Sequence, residues 1–77
     1  MREVPIRGEM IRLGQLLKLA GVRDTGGEVK DLLAGGGVTV NGEPEVRRGR
    51  QLHPGDLISA DGEELRVTAT PGPAAST

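Results

Sequence analysis

The chain has 77 residues, enough for one small domain, and it contains no Cys, Phe, Tyr or Trp. The lack of cysteine excludes disulfides and thiolate metal sites, and the lack of Phe, Tyr and Trp removes the stacking platforms on which many single-strand binders rely. The formal net charge is −1, but residues 1–50 carry nine Lys/Arg against seven Asp/Glu and residues 51–77 carry one against four, so basic charge is concentrated in the first part of the chain.

The first eleven residues predict an extended segment. Val4 and Ile6 alternate with polar neighbours on either side of Pro5. Proline cannot donate to a sheet ladder, so it is tolerated at an edge and excluded from a central strand. We therefore expect residues 1–9 to form an N-terminal arm or an edge strand.

Two short helices are predicted next, over residues 13–20 and 25–34. The apolar residues of the first follow the spacing of one helix face, and these are Leu13, Leu16, Leu17 and Ala20. The second begins at a capping box formed by Thr25 and Glu28, in which the threonine hydroxyl accepts from the glutamate amide. Because only a few residues separate the helices, they must pack as neighbours.

The rest of the chain predicts short strands and tight turns. Residues 38–40 alternate before the turn signal Asn41-Gly42, and residues 57–60 pair with 64–68 across a second such turn. The fold class expected is α+β, with a helical hairpin packed on a small, mostly antiparallel, curved sheet over residues 10–69. Residues 70–77 have no apolar periodicity and are expected to be disordered.

The order of these motifs resembles the S4 RNA-binding domain, the module named after the fourth protein of the small ribosomal subunit. The resemblance covers roughly residues 10–68. Within it, the stretch Leu13-Gly-Gln-Leu-Leu-Lys-Leu-Ala20, followed by Thr25-Gly-Gly and later by Arg47-Arg-Gly-Arg50, looks like the short bacterial proteins that consist of this domain alone. No single motif is specific, but the ordered set is, and its members are Arg12-Leu-x-x-Leu-Leu, Thr25-Gly-Gly-Glu-Val-Lys30, Gly37-Val-Thr-Val-Asn41-Gly42, Pro54-Gly-Asp56 and a closing strand.

The resemblance implies binding of structured RNA, usually ribosomal or transfer RNA, by the starts of both helices and the loop at the sheet entry. Carried over by position, the RNA-binding residues are Arg12, Gln15, Lys18, Thr25, Gly26, Lys30 and Asn41. One departure is that many members open the second helix with a Ser-Arg pair, whereas this chain has Gly26-Gly27. RNA contact is therefore expected to shift toward Arg47, Arg48 and Arg50, or the affinity to be lower.

Each of these groups of residues can also be explained by a structural role that requires no ligand. The arginines offer planar, bidentate donors for phosphate oxygens, but they could equally form a solvated loop paired with Glu43 and Glu45. The free amides of the second helix at Gly26 attract phosphate, but the glycines could serve only capping and packing. Asn41 is first of all a turn residue.

We therefore expect an RNA-binding protein of ribosome assembly or translation that recognises phosphate and shape, without enzymatic activity, metal or cofactor. A single His53 in a Pro-Gly turn offers neither a metal cluster nor a catalytic set. No apolar run is long enough to span a membrane and no secretory signal is visible, which predicts a cytoplasmic location. We also expect a monomer. The alternative is a protein-interaction module that keeps the fold; an enzyme is less favoured, because no residues remain for a catalytic domain.

Overall fold

The computed structural model describes residues 1–70, so the tail predicted to be disordered lies, apart from Thr70, outside the described residues. Within this range the chain forms two helices and seven strands. In chain order these are β1 (Arg2–Ile6), β2 (Ile11–Arg12), α1 (Leu13–Leu19), α2 (Gly26–Ala34), β3 (Val38–Val40), β4 (Glu43–Pro44), β5 (Gln51–Leu52), β6 (Leu57–Ala60) and β7 (Glu63–Ala69).

The main sheet has five strands in the order β1-β7-β6-β3-β4. Its neighbours pair in antiparallel fashion except at one edge, where β1 runs parallel to β7 with Val4 opposite Val67. Pro5 thus lies in an edge strand, where its missing amide hydrogen costs no ladder bond on the open side. The α+β prediction is confirmed. The sheet is mixed because the strands nearest the two ends of the described chain, β1 and β7, run parallel to each other.

One apolar cluster joins the helices to the main sheet. Both helices contribute buried side chains. In α1 they are those of the predicted apolar face, and in α2 they come from an i, i+3, i+4 pattern, Val29, Leu32 and Leu33, of which Leu32 is only partly buried. Burial of these side chains supplies the main favourable term for a domain of this size. The buried cluster consists of Val4, Ile6, Leu13, Leu16, Leu17, Ala20, Val29, Leu33, Val38, Val40, Leu52, Ile58, Ala60, Leu65 and Val67.

The polar segment between β4 and β5 folds back over the start of α1. The short strands β2 and β5 pair in antiparallel fashion just before the helix. The amides of Leu13 and Gly14 then donate to the carbonyl oxygens of Arg50 and Arg48, at 2.9 and 2.8 Å. These two amides belong to the first turn of α1, where backbone amides have no hydrogen-bond acceptor within the helix. The segment is therefore fixed against α1.

The helices in the described part of the chain are all too short, or too polar, to cross a membrane.

Candidate nucleic-acid interface

A cleft of about 200 Å³ separates the starts of α1 and α2. It brings together five of the ten residues that the sequence predicts for RNA contact. Three of those five carry positive charge, and among the described residues that line the cleft there is no carboxylate. The lining consists of Arg12, Gly14, Gln15, Lys18, Gly26, Val29 and Arg48.

Within residues 1–70, the basic side chains of the cleft form no ion pairs. The ion pairs in residues 1–70 join Arg2 to Glu63, Arg23 to Asp61, and both Arg47 and Arg50 to Glu45. None of these pairs includes Arg12, Lys18 or Arg48, all of which are exposed. Uncompensated cations that converge on one concave surface raise the local potential and attract anions, whatever the net charge of the chain.

A second hollow adjoins the cleft and extends the basic surface. It is lined by Lys30, Leu33, Val46 and Arg48, so that Arg48 borders both depressions. Lys30 is exposed and, within the part of the chain that the structure describes, takes part in no ion pair. Four predicted basic residues that form no ion pair within residues 1–70 therefore line two depressions that share Arg48.

Glu45 organises the loop that carries Arg48. Its side chain is only 7% exposed. One carboxylate oxygen accepts from the amides of Val46 and Arg47, both at 3.1 Å, and from Arg47 Nε at 3.3 Å. The other accepts from Arg50 Nη1 at 2.8 Å. The hydrogen bonds from Arg50 and then from Arg47 lower the pKa of Glu45 to about 2.

The three arginines of the loop consequently differ in their surroundings. Arg47 and Arg50 are the partners of a carboxylate that is nearly buried, and it is Glu45, not Glu43, that pairs with them. Arg48 lines the cleft and has no carboxylate partner among residues 1–70. The sequence treats the three as equivalent, whereas the structure leaves one of them free for an anion.

Charge pairing at Glu45 makes the stability of the protein depend on pH. Its pKa is lower in the folded chain than the ordinary value of 4.5, so this contribution is fully present above about pH 4.5 and is lost as the pH falls toward 2. We expect Glu45→Gln to unfold at lower urea concentration at pH 7, and the difference from the natural chain to shrink as the pH falls. Glu43→Gln, at an exposed position nearby, is the control and should match the natural chain at both ends of the range. A gap that stays constant with pH would contradict the assignment.

Gly14 is a site residue that the sequence did not reveal as such. A β-carbon at this position would lie 3.2 Å from Arg48 Cβ and 3.4 Å from the Arg48 carbonyl oxygen, closer than ordinary contacts. The hydrogen bond from the Gly14 amide to that carbonyl requires this approach. The only available signal was a glycine inside an otherwise regular helix pattern, which often has a packing reason.

Adding one methyl group to Gly14 is therefore expected to displace the loop and Arg48 with it. We expect Gly14→Ala to lower both the melting temperature and the affinity for RNA, although alanine is the better helix former. For stability, Gly26→Ala is the matched control, because a β-carbon there meets no atom within 4 Å. Equal or higher stability of Gly14→Ala, measured by thermal unfolding beside the control, would contradict the close packing.

The start of α2 borders the cleft through Gly26 and is capped by Thr25. The Thr25 hydroxyl oxygen accepts from the Glu28 amide at 3.2 Å, and the hydroxyl donates to the Glu28 carboxylate at 3.1 Å. The cap occupies the Thr25 side chain, which does not line the cleft. Gly26 leaves its part of the wall open, where a side chain would otherwise project.

Asn41 lies outside the cleft and stabilises a turn. It adopts a left-handed backbone conformation with φ of 52°. Its side-chain amide donates to the Asp56 carboxylate at 3.2 Å, and its side-chain oxygen accepts from the Leu57 amide at 2.9 Å. These bonds fasten the turn after β3 to the start of β6. Both polar ends of the side chain are thus engaged within the protein.

Comparisons with known proteins agree with this architecture. The sequence pattern of the family described as the S4 domain matches residues 4–68. The chain is 49% identical over 59 residues to the probable ribosome maturation protein RlbA of Bacillus subtilis (strain 168), an alignment that covers 77% of this chain and 83% of that protein.

A solved structure is similar as well. The 30S ribosomal protein S4e of Thermoplasma acidophilum superimposes with a TM-score of 0.59 and 25% sequence identity over 77% of this chain. The match covers 31% of that protein, so this chain spans about a third of its length.

Proposed function

The chain belongs to the S4 domain family, and on that premise we propose that it binds RNA and acts in ribosome maturation. The similarity to a probable ribosome maturation protein of comparable length supports the pathway. The likeness to part of a ribosomal protein of the small subunit supports a setting on the ribosome or its precursors.

The observation that carries the proposal is the cleft between α1 and α2, where Arg12, Lys18 and Arg48 converge without carboxylate partners in the described residues. A guanidinium offers two parallel donors to the oxygens of one phosphate, and an ammonium adds a compact charge. The first turn of α2 contributes the positive end of a helix beside Gly26. These groups suit consecutive phosphates of a folded backbone.

The RNA we propose is structured ribosomal RNA, with transfer RNA as the second choice. The chain has no Phe, Tyr or Trp on which bases could stack, so we expect recognition to depend mainly on phosphate positions and on the shape of the RNA. We further propose that Lys30 contributes from the adjoining hollow, and that Gln15 adds a hydrogen bond within the cleft. Arg47 and Arg50 act by holding the loop through Glu45, Thr25 by capping α2, and Asn41 by fixing its turn.

A protein-interaction module is the second candidate, and one observation favours it. Leu19 is 58% exposed and Met10 is 37% exposed, and both line an apolar groove with Pro5 and Ile6. Exposed apolar grooves are common at protein interfaces. Binding through this groove would depend only weakly on salt, whereas phosphate binding falls steeply with salt.

Crosslinking in cells followed by sequencing of the bound RNA tests the proposal. The control is a variant in which the cleft cations are neutralised together, namely Arg12→Gln, Lys18→Gln and Arg48→Gln, hereafter the cleft triple. We expect ribosomal RNA or its precursors to be enriched with the natural chain and lost with the cleft triple. Absence of any RNA class above background, or an equal signal from the cleft triple, would contradict the function.

A further inference from the structure

The hollow beside the cleft contains an exposed apolar side chain among cations. Val46 is 63% exposed, and it lines this hollow together with Lys30, Leu33 and Arg48. Its neighbours in sequence are Glu45, whose charge is satisfied, and Arg47. Resting on the proposed RNA-binding function, we propose that the hollow is a subsite for one unpaired nucleotide of the bound RNA, with its base against Val46.

The position of Val46 is fixed by the loop. Its amide donates to the Glu45 carboxylate at 3.1 Å, and two residues further on the Arg48 carbonyl accepts from Gly14 at 2.8 Å. Valine is also stiff, because its β-branch restricts χ1. A rigid side chain loses little conformational entropy when a ligand covers it, so an exposed valine held in this way is suited to contact.

The charge of the rim favours a nucleotide over an apolar peptide. Lys30 and Arg48 take part in no ion pair within residues 1–70, and both border the hollow. The hollow measures about 310 Å³, at the lower end of the roughly 300–1,000 Å³ typical of small-ligand pockets. A ligand that fits is therefore small, with an anionic group for the two cations and a flat or apolar part for Val46 and Leu33. A single nucleotide has both parts.

The geometry also explains how the subsite connects to the cleft. Arg48 lines both depressions, so a phosphate held by Arg48 lies at their junction. The backbone can then continue past Arg12 and Lys18 while the base of the adjoining nucleotide turns to Val46. A base that is not paired presents its face for such a contact, and a base within a helix does not.

Two synthetic RNA stem-loops test this subsite. One carries a single unpaired adenosine in its stem, and the other carries an abasic nucleotide at the same position, so both present the same phosphates. We expect the natural chain to bind the first about tenfold more tightly in fluorescence anisotropy, and Val46→Ser to lose about five- to tenfold of that preference. The slope of log affinity against log salt should be unchanged in Val46→Ser, because no charge is altered.

Leu19→Gln is the matched control, since it removes another exposed apolar side chain that lines neither the cleft nor this hollow. Equal affinity of the natural chain for both RNAs, or a preference that survives in Val46→Ser, would overturn the subsite. The cleft triple separates this outcome from a failure of the proposed function. If the cleft triple loses both RNAs, phosphate binding stands; if the natural chain binds neither RNA, the function and the subsite both fall.

Discussion

The cleft triple is expected to bind ribosomal RNA about one hundred- to a thousandfold more weakly than the natural chain. Each of the three side chains is exposed, lines the cleft and has no carboxylate partner in the described residues, so each is free to contact phosphate. A hydrogen bond contributes a net stabilisation of about 0.5–1.5 kcal/mol, and three exposed contacts of about 0.9–1.4 kcal/mol each give this range. Fluorescence anisotropy with an RNA fragment identified by crosslinking measures the effect.

A second triple variant tests whether the effect on RNA affinity depends on the location of the removed cations or only on the change in net charge. Arg2→Gln, Arg7→Gln and Arg66→Gln change the net charge by the same amount, and none of these residues lines the cleft or the adjoining hollow. We expect this control to weaken binding only a few-fold, through the general field of the protein. Equal losses in both variants would show that the cleft is not the binding surface. Both proteins should unfold at nearly the same temperature as the natural chain.

Replacing Leu17 by alanine is expected to lower the free energy of unfolding by about 2–5 kcal/mol. Leu17 is fully buried in α1, within the apolar cluster that joins the helices to the sheet. A domain of this length has a total stability of only about 4–12 kcal/mol, so the loss is a large fraction of the whole. Urea unfolding followed by circular dichroism measures it, and the melting temperature should fall by roughly 8 °C or more.

Leu19→Ala provides the matched control on the same helix. The Leu19 side chain is 58% exposed, so its truncation leaves no cavity and should change the free energy of unfolding by less than about 1 kcal/mol. If Leu17→Ala and Leu19→Ala proved equally stable, the orientation of α1 on the sheet would be wrong. RNA binding by folded Leu19→Ala should be unchanged, since its side chain does not line the cleft.

The local parts of the fold could be predicted because their causes are local. The leucine spacing of α1, the Thr25 cap of α2 and the turn at Asp61 and Gly62 depend on residues close together in sequence. The parallel pairing of β1 with β7 joins residues about sixty positions apart. No short-range pattern encodes such a pairing, and the alternation of Val4 and Ile6 predicted only an extended segment.

The site could be predicted as a set of residues but not as an arrangement. Sequence order placed Arg12, Lys18 and Arg48 in the binding set through the family resemblance and the density of arginine. It could not tell that Glu45 is buried and holds Arg47 and Arg50, because burial depends on how the loop folds over α1. For the same reason the sequence did not distinguish Gly14 from an ordinary helix residue, although a β-carbon at this position would press against the loop.

The salt dependence of RNA affinity tests the central claim most directly, namely that free cations of the cleft and its adjoining hollow bind phosphates. Four such cations predict a slope of log affinity against log salt of about −3 to −4 for the natural chain, and a slope flatter by about 2–3 in the cleft triple. The control triple should keep the slope of the natural chain. A slope near zero in the natural chain, or the same slope in both triples, would contradict the claim.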